Sequence, residues 1–140
     1  MKITIEKSGV LEQLHLLSAQ LGLKLQAPDV VASVADDEER IESLWMAAAM
    51  ELAHTLAPYC TYMPGENGAE YNLELPDNWK DTLSDELQES CREFILHSLL
   101  ARWLYFVHPE SAGIYKAMNM ETASAIVNIL AMRRKPQVAE

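Results

Sequence analysis

Residues 84–107 read SDELQESCREFILHSLLARWLYFV, and the way this stretch is packed decides the fold. Around its first half Leu83, Leu87, Cys91, Phe94 and Ile95 recur at spacings of three and four, with Asp85, Glu86 and Glu89 between them, the pattern of a helix with one apolar face. From Phe94 to Val107 nearly every side is apolar, which requires neighbours on several faces or a subunit interface. The helix should begin near Asp81 or Ser84, and His108-Pro109 stops it. The apolar run is too short to span a bilayer and carries Arg102 inside it. It is a core helix, and the remaining elements must supply its cover.

Before it, Tyr71, Leu73 and Leu75 alternate with polar neighbours, a strand pattern that Pro76 ends. Met63-Pro64-Gly65 and Asn67-Gly68 are turn signals, so this strand can pair with Thr61–Met63 or with the alternating Ile3 and Ile5. Residues 1–7 hold that short first strand, and Ser8-Gly9 ends it. A first amphipathic helix runs from Val10 through Leu11, Leu14, Leu17 and Leu21, with Gly22 as its expected stop. The stretch from Leu23 to Val34 gives no clear period. Asp36 or Asp37 then caps a helix whose first turn holds Glu38 and Glu39, negative charge where the helix dipole favours it. Its apolar face is Ile41, Leu44, Trp45, Ala48, Leu52 and Leu56, and Pro58 closes it. After His108-Pro109 a last helix carries Ala112, Tyr115, Met118, Thr122, Ala125, Ile126, Ile129 and Leu130 on one broad face. Arg133, Arg134 and Lys135 stand at its C-terminus, where cations are favoured, before a loose tail at 136–140. The reading is a mainly α chain: one compact bundle of about four helices, residues 1–140, with a small β-hairpin or short strands.

Composition narrows the function classes. With 140 residues, 49% of them hydrophobic and 23% charged, the chain has the balance of one globular unit with one core. A formal net charge of −10 argues against a general nucleic-acid surface, since phosphate binding needs clustered Lys and Arg. An acidic surface can instead dock on a basic protein or imitate DNA. Cys60 and Cys91 lack zinc-like spacing, and residues 1–8 lack the apolar centre of a signal peptide. A reducing compartment is the expected setting.

The chemistry-bearing motifs are absent: no Walker loop, dinucleotide-binding turn, HExxH, EF-hand loop or nucleophile elbow is present. Glu51 and His54 have the ExxH spacing of di-iron bundles, but Glu93 and His97 are four apart, so the second copy that such a site needs is missing. Asp81, Asp85, Glu86 and Glu89 share helical spacing and read as a solvated face before they read as paired acids. Trp45, Trp79, Trp103, Tyr105 and Phe106 read first as core. Trp79, in the irregular segment after Pro76-Asp77-Asn78, either lids the core or anchors a neighbour. No catalytic, cofactor, metal or small-molecule site is expected, and no membrane contact. The candidate interface residues are Asp36, Asp37, Glu38, Glu39, Trp79, Trp103, Arg133, Arg134 and Lys135.

The helix start Asp-Asp-Glu-Glu-Arg40 leading into Ile41-Glu-Ser-Leu-Trp-Met-Ala-Ala-Ala49, and the long helix ending in Ala101-Arg-Trp-Leu-Tyr-Phe106, resemble the small head–tail connector (adaptor) proteins of tailed phages. The likeness covers about Val34 to Val107. Tyr71-Asn-Leu-Glu-Leu-Pro-Asp-Asn-Trp79 and the segment Pro109–Pro136 are similar to structural proteins encoded in phages and prophages of Bacteroides-type bacteria. The chain departs from the connector pattern in its strand and helix before Val34 and in the hairpin between the main helices. The resemblance implies a subunit without enzyme activity that joins a homo-oligomeric ring between portal and tail proteins, made in the host cytoplasm and carried in the virion. The acidic cluster at Asp36–Glu39 and the basic one at Arg133–Lys135 would then face each other across a subunit boundary. The rival reading is a small acidic regulatory or inhibitor protein bound to a basic bacterial partner.

Overall fold

The alternation at the N-terminus forms β1 (Lys2–Glu6), with Ile3 and Ile5 buried and Lys2, Thr4 and Glu6 exposed. The computed structural model describes residues 1–25, 38–65 and 67–135. The caps expected at Asp36 and Asp37, the stretch 26–34 and the tail 136–140 lie outside the described residues, as do the side chains of Glu38 and Phe106.

Helix α1 (Lys7–Leu25) follows β1 directly. Ser8-Gly9, expected to precede the helix, lies in its first turn, and Gly22, expected to stop it, lies within it. Packing explains the first difference. Val10 and Leu14 are buried, and Gln13 accepts a hydrogen bond from Arg92 at 2.7 Å, which together outweigh the roughly 1 kcal/mol cost of a helical glycine. The second helix, α2 (Glu38–Leu56), buries Ile41, Trp45, Ala48, Ala49, Leu52 and Leu56. The chain then passes through a cis Ala57–Pro58 bond into β2 (Cys60–Pro64) and β3 (Gly68–Leu73).

Both pairings open to β3 in the sequence are made. The sheet order is β1-β3-β2, antiparallel throughout, with Tyr71 opposite Ile3 on one side and Tyr62 on the other. Ile3, Ile5, Ala69, Tyr71 and Leu73 form the inner face of the sheet. The Tyr62 ring stacks on Tyr71 with centroids 5.2 Å apart. Asp81–Leu83 forms a short 3-10 turn before α3 (Ser84–Val107), and His108 alone separates α3 from α4 (Pro109–Ala131). The His108 ring nitrogen Nδ1 accepts from the Ser111 backbone N–H at 3.2 Å, so this residue both ends one helix and caps the next.

Among the described residues most of the apolar part of α3 is covered by the chain itself, with Tyr105 left exposed. Phe94, Ile95, Leu96, Leu99, Leu100, Trp103 and Leu104 are buried, enclosed by α1, α2, α4 and β1. The buried stripe of α4 is narrower than expected. Ala112, Ile126, Ile129 and Leu130 are buried, but Met118 and Ala125 are exposed, and Ser111 and Asn119 take inward positions instead. Asn119 can do so because its Nδ2 donates to the Phe94 carbonyl at 2.8 Å, which removes most of the cost of burying the amide. The result is mainly α, with four helices and one small three-stranded sheet among the described residues. None of these helices is long and apolar enough to cross a membrane.

Candidate functional site

A cleft between α2, α3 and α4 encloses about 540 Å³. Leu44 and Glu51 line it from α2, Arg102 and Tyr105 from α3, and Lys116 and Met120 from α4. Helical geometry sets this up: Leu44 and Glu51 are seven residues apart, as are Ser98 and Tyr105, so each pair shares a face. Three of the polar groups on the wall are committed to one another. Glu51 Oε2 accepts from Arg102 Nη2 at 2.6 Å and from Ser98 Oγ at 3.2 Å, and Arg102 Nε donates to Ser98 Oγ at 3.3 Å. A carboxylate held by a guanidinium and a hydroxyl is a poor general base and is not a free metal ligand. What remains toward solvent is aromatic and thioether surface, with Tyr105 64% and Met120 63% exposed, beside the Lys116 ammonium.

The second open feature is the edge of the sheet. Backbone bonds Gly65 N–H to Gly68 carbonyl and Glu74 N–H to Tyr59 carbonyl fix the phase of the β2–β3 ladder. Thr61 and Met63 turn their backbone groups toward β3, and Cys60, Tyr62 and Pro64 turn theirs outward. At the opposite edge of the sheet, the Thr4 carbonyl of β1 is closed by the Gln88 side-chain amide at 2.8 Å. No hydrogen bond among the described residues reaches the outward groups of β2.

The described residues among those singled out from sequence do not assemble into one surface. Trp79 is buried, and its indole N–H donates to the Ile129 carbonyl at 2.9 Å, so of the two roles open to it the structure gives it the lid. Trp103 is fully buried, with the Arg40 guanidinium 4.7 Å from its ring centre, so it is not an exposed anchor. Arg133 donates to the Leu130 and Met132 carbonyls at 2.8 and 2.9 Å. Arg134 Nη2 donates to the Asp77 carbonyl at 2.6 Å, and the Arg134 N–H to the Asn78 carbonyl at 2.7 Å. Arg134 therefore lashes the end of α4 to the Trp79 segment, and a backbone bridge pairs Arg133 with Trp79. Lys135 and Glu39 are exposed.

Among the described residues no group of three His, Cys, Asp or Glu could hold a metal ion. His54 is exposed, and Glu51, its ExxH partner, is taken by Arg102. His97 lies against the Tyr115 ring, centroids 6.2 Å apart, and burial lowers its pKa, with the Glu93 charge pulling the other way. Burial pushes the Cys91 thiol up to about 12 and raises Cys60 as well, which favours the protonated thiol of both at neutral pH. The Glu51–Arg102 contact and the outward phase of β2 gave no signal in the sequence, since both arise from tertiary placement. Comparison with protein-family models, curated proteins and solved structures finds no match.

Proposed function

We propose that the chain is a non-enzymatic structural subunit of a phage or prophage particle, of the head–tail connector kind, working by self-association and by docking on portal or tail proteins. The observation that carries this reading is the character of the α2–α3–α4 cleft: Glu51 and Arg102 are paired with each other, and what it offers outward is Tyr105, Met120 and Leu44 beside Lys116. A rigid bundle that presents aromatic and thioether side chains is suited to contact with another protein. The resemblance around Val34–Val107 supplies the particle. The pairing of Asp36–Glu39 with Arg133–Lys135 across a boundary loses ground, because Arg133 and Arg134 are occupied within the chain.

The test is the solution mass by light scattering, over a range of concentrations and at low and high salt. A discrete oligomer that co-elutes with the proteins encoded beside its gene is the expected result. A monomer throughout that binds none of them would overturn the reading. The second reading, an acidic protein seated on a basic partner, draws on Asp85, Glu89 and Glu93, which recur every four residues on exposed positions of α3. It is favoured if the protein stays monomeric yet is held by a DNA-binding protein in competition with DNA.

A further inference from the structure

We infer that two copies of this chain join through β2, edge to edge and antiparallel, to make a continuous six-stranded sheet. The inference deepens the subunit reading by naming one contact and the partner at it, and it rests on the three-stranded sheet described above.

The two edges of that sheet are treated differently. Gln88 covers the Thr4 carbonyl on β1, whereas β2 presents the N–H groups of Cys60 and Tyr62 and the carbonyls of Cys60, Tyr62 and Pro64, with no partner among the described residues. An open edge is a template for another strand. Pro64 lies at the end of this one with its backbone facing outward, where the missing N–H is not required by β3.

The choice of a second copy follows from charge and symmetry. A chain of net charge −10 repels itself over most of its surface, and Cys-Thr-Tyr-Met-Pro in β2 carries no charge at all. A strip of alternating donors and acceptors is self-complementary under a two-fold axis. Two antiparallel registers, one with Tyr62 opposite Tyr62 and one with Cys60 opposite Tyr62, both use every free N–H of the two edges and ask nothing of Pro64 as a donor.

Exposed methionines stand on the strand and on α2. Met63 is 48% exposed, and on α2 Met46 and Met50 are 51% and 50% exposed. These two lie one helical turn apart, next to Ala49, whose carbonyl accepts from Tyr71 and so marks the side of α2 that meets the sheet.

The contact is isologous and closes at two, so any larger assembly must be built from pairs with a second, different contact. The experiment is sedimentation equilibrium of the wild-type chain and of the variant with Thr61→Glu and Met63→Glu, combined with amide exchange. Both side chains are on the exposed face, so melting of the variant checks that the fold is kept. With Tyr62 opposite Tyr62 each introduced glutamate stands opposite a glutamate of the other copy, and with Cys60 opposite Tyr62 the two glutamates that replace Thr61 stand opposite each other. The wild type should dimerise, and the variant should dissociate at least ten times more readily. Exchange of the Cys60 and Tyr62 amides should slow at least tenfold on concentrating the wild type. A wild type that stays monomeric at millimolar concentration overturns the inference and leaves the edge to a strand from another protein. An oligomer that survives the two substitutions, or Cys60 and Tyr62 amides indifferent to concentration, also overturns it while leaving the broader subunit reading intact.

Discussion

The Tyr71 hydroxyl donates to the Ala49 carbonyl at 2.7 Å, a buried bond between the central strand and α2. It joins the sheet to the helix at the one strand flanked on both sides. Burial also raises the Tyr71 pKa well above that of a free phenol, with the charges of Tyr62, Cys91 and Cys60 adding to the effect, so the hydroxyl stays a donor across the accessible pH range. Tyr71→Phe keeps the ring stacked on Tyr62 and deletes only the hydroxyl. The expected loss is about 1 kcal/mol, or about 3 °C in Tm, measured by thermal melting. A loss below the error of the melt would show that the Ala49 carbonyl is adequately served by its helix bond alone.

Gly68 is required by close approach and not by a turn. A Cβ built there would sit 2.2 Å from the Ile5 carbonyl oxygen, a backbone atom that cannot swing away. Gly68→Ala must therefore push β1 from β3, and the expected cost is about 1–3 kcal/mol. Gly113→Ala is the control, because a Cβ there meets nothing within 4 Å. It lies inside α4 and should stabilise by up to about 1 kcal/mol. Urea titration of both variants reads the contrast.

How much of this was legible follows from which forces act locally. The alternation at Ile3 and Ile5, the breaks at Pro58 and His108-Pro109, and the period of Leu83, Leu87 and Cys91 are properties of neighbours in sequence, and the elements they predict are present. Gly9 misleads because a glycine costs a helix only about 1 kcal/mol, less than burial of Val10 and Leu14 returns. The inward turn of Asn119 depends on a carbonyl 25 residues away, and Glu51 meets Arg102 across 51 residues. Neither separation leaves a trace in local pattern. Trp79 and Trp103 were legible as large apolar groups, but whether they face out or in is settled only by the partners that reach them, Ile129 and Arg40.

The cysteines should differ from exposed thiols in reactivity. Cys91 is buried and its thiol is pushed up to about 12, while half-buried Cys60 is raised by burial alone. With a thiol reagent at neutral pH, the native protein should react slowly at Cys60 and not measurably at Cys91. Both should react at once in denaturant. Rapid labelling of Cys91 in the native protein would mean that the α3 core opens far more often than its packing suggests.

His97 should make stability depend on acid. Its Nδ1 is buried without a hydrogen-bond partner among the described residues, and burial lowers its pKa below the ordinary 6.5 despite the raising effect of Glu93. A base with a depressed folded pKa binds fewer protons folded than unfolded. Stability is then unaffected above the unfolded value of 6.5 and falls as pH drops from there toward the folded value, after which this contribution is flat. His97→Gln removes the titration while keeping a polar side chain of similar length. Thermal melts between pH 8 and pH 5 should show the wild type losing Tm below about pH 6.5 and the variant losing less over the same interval. Parallel curves for the two proteins would assign the acid limb to the carboxylates instead, and would mean that the His97 ring gains water as readily in the folded chain as in the unfolded one.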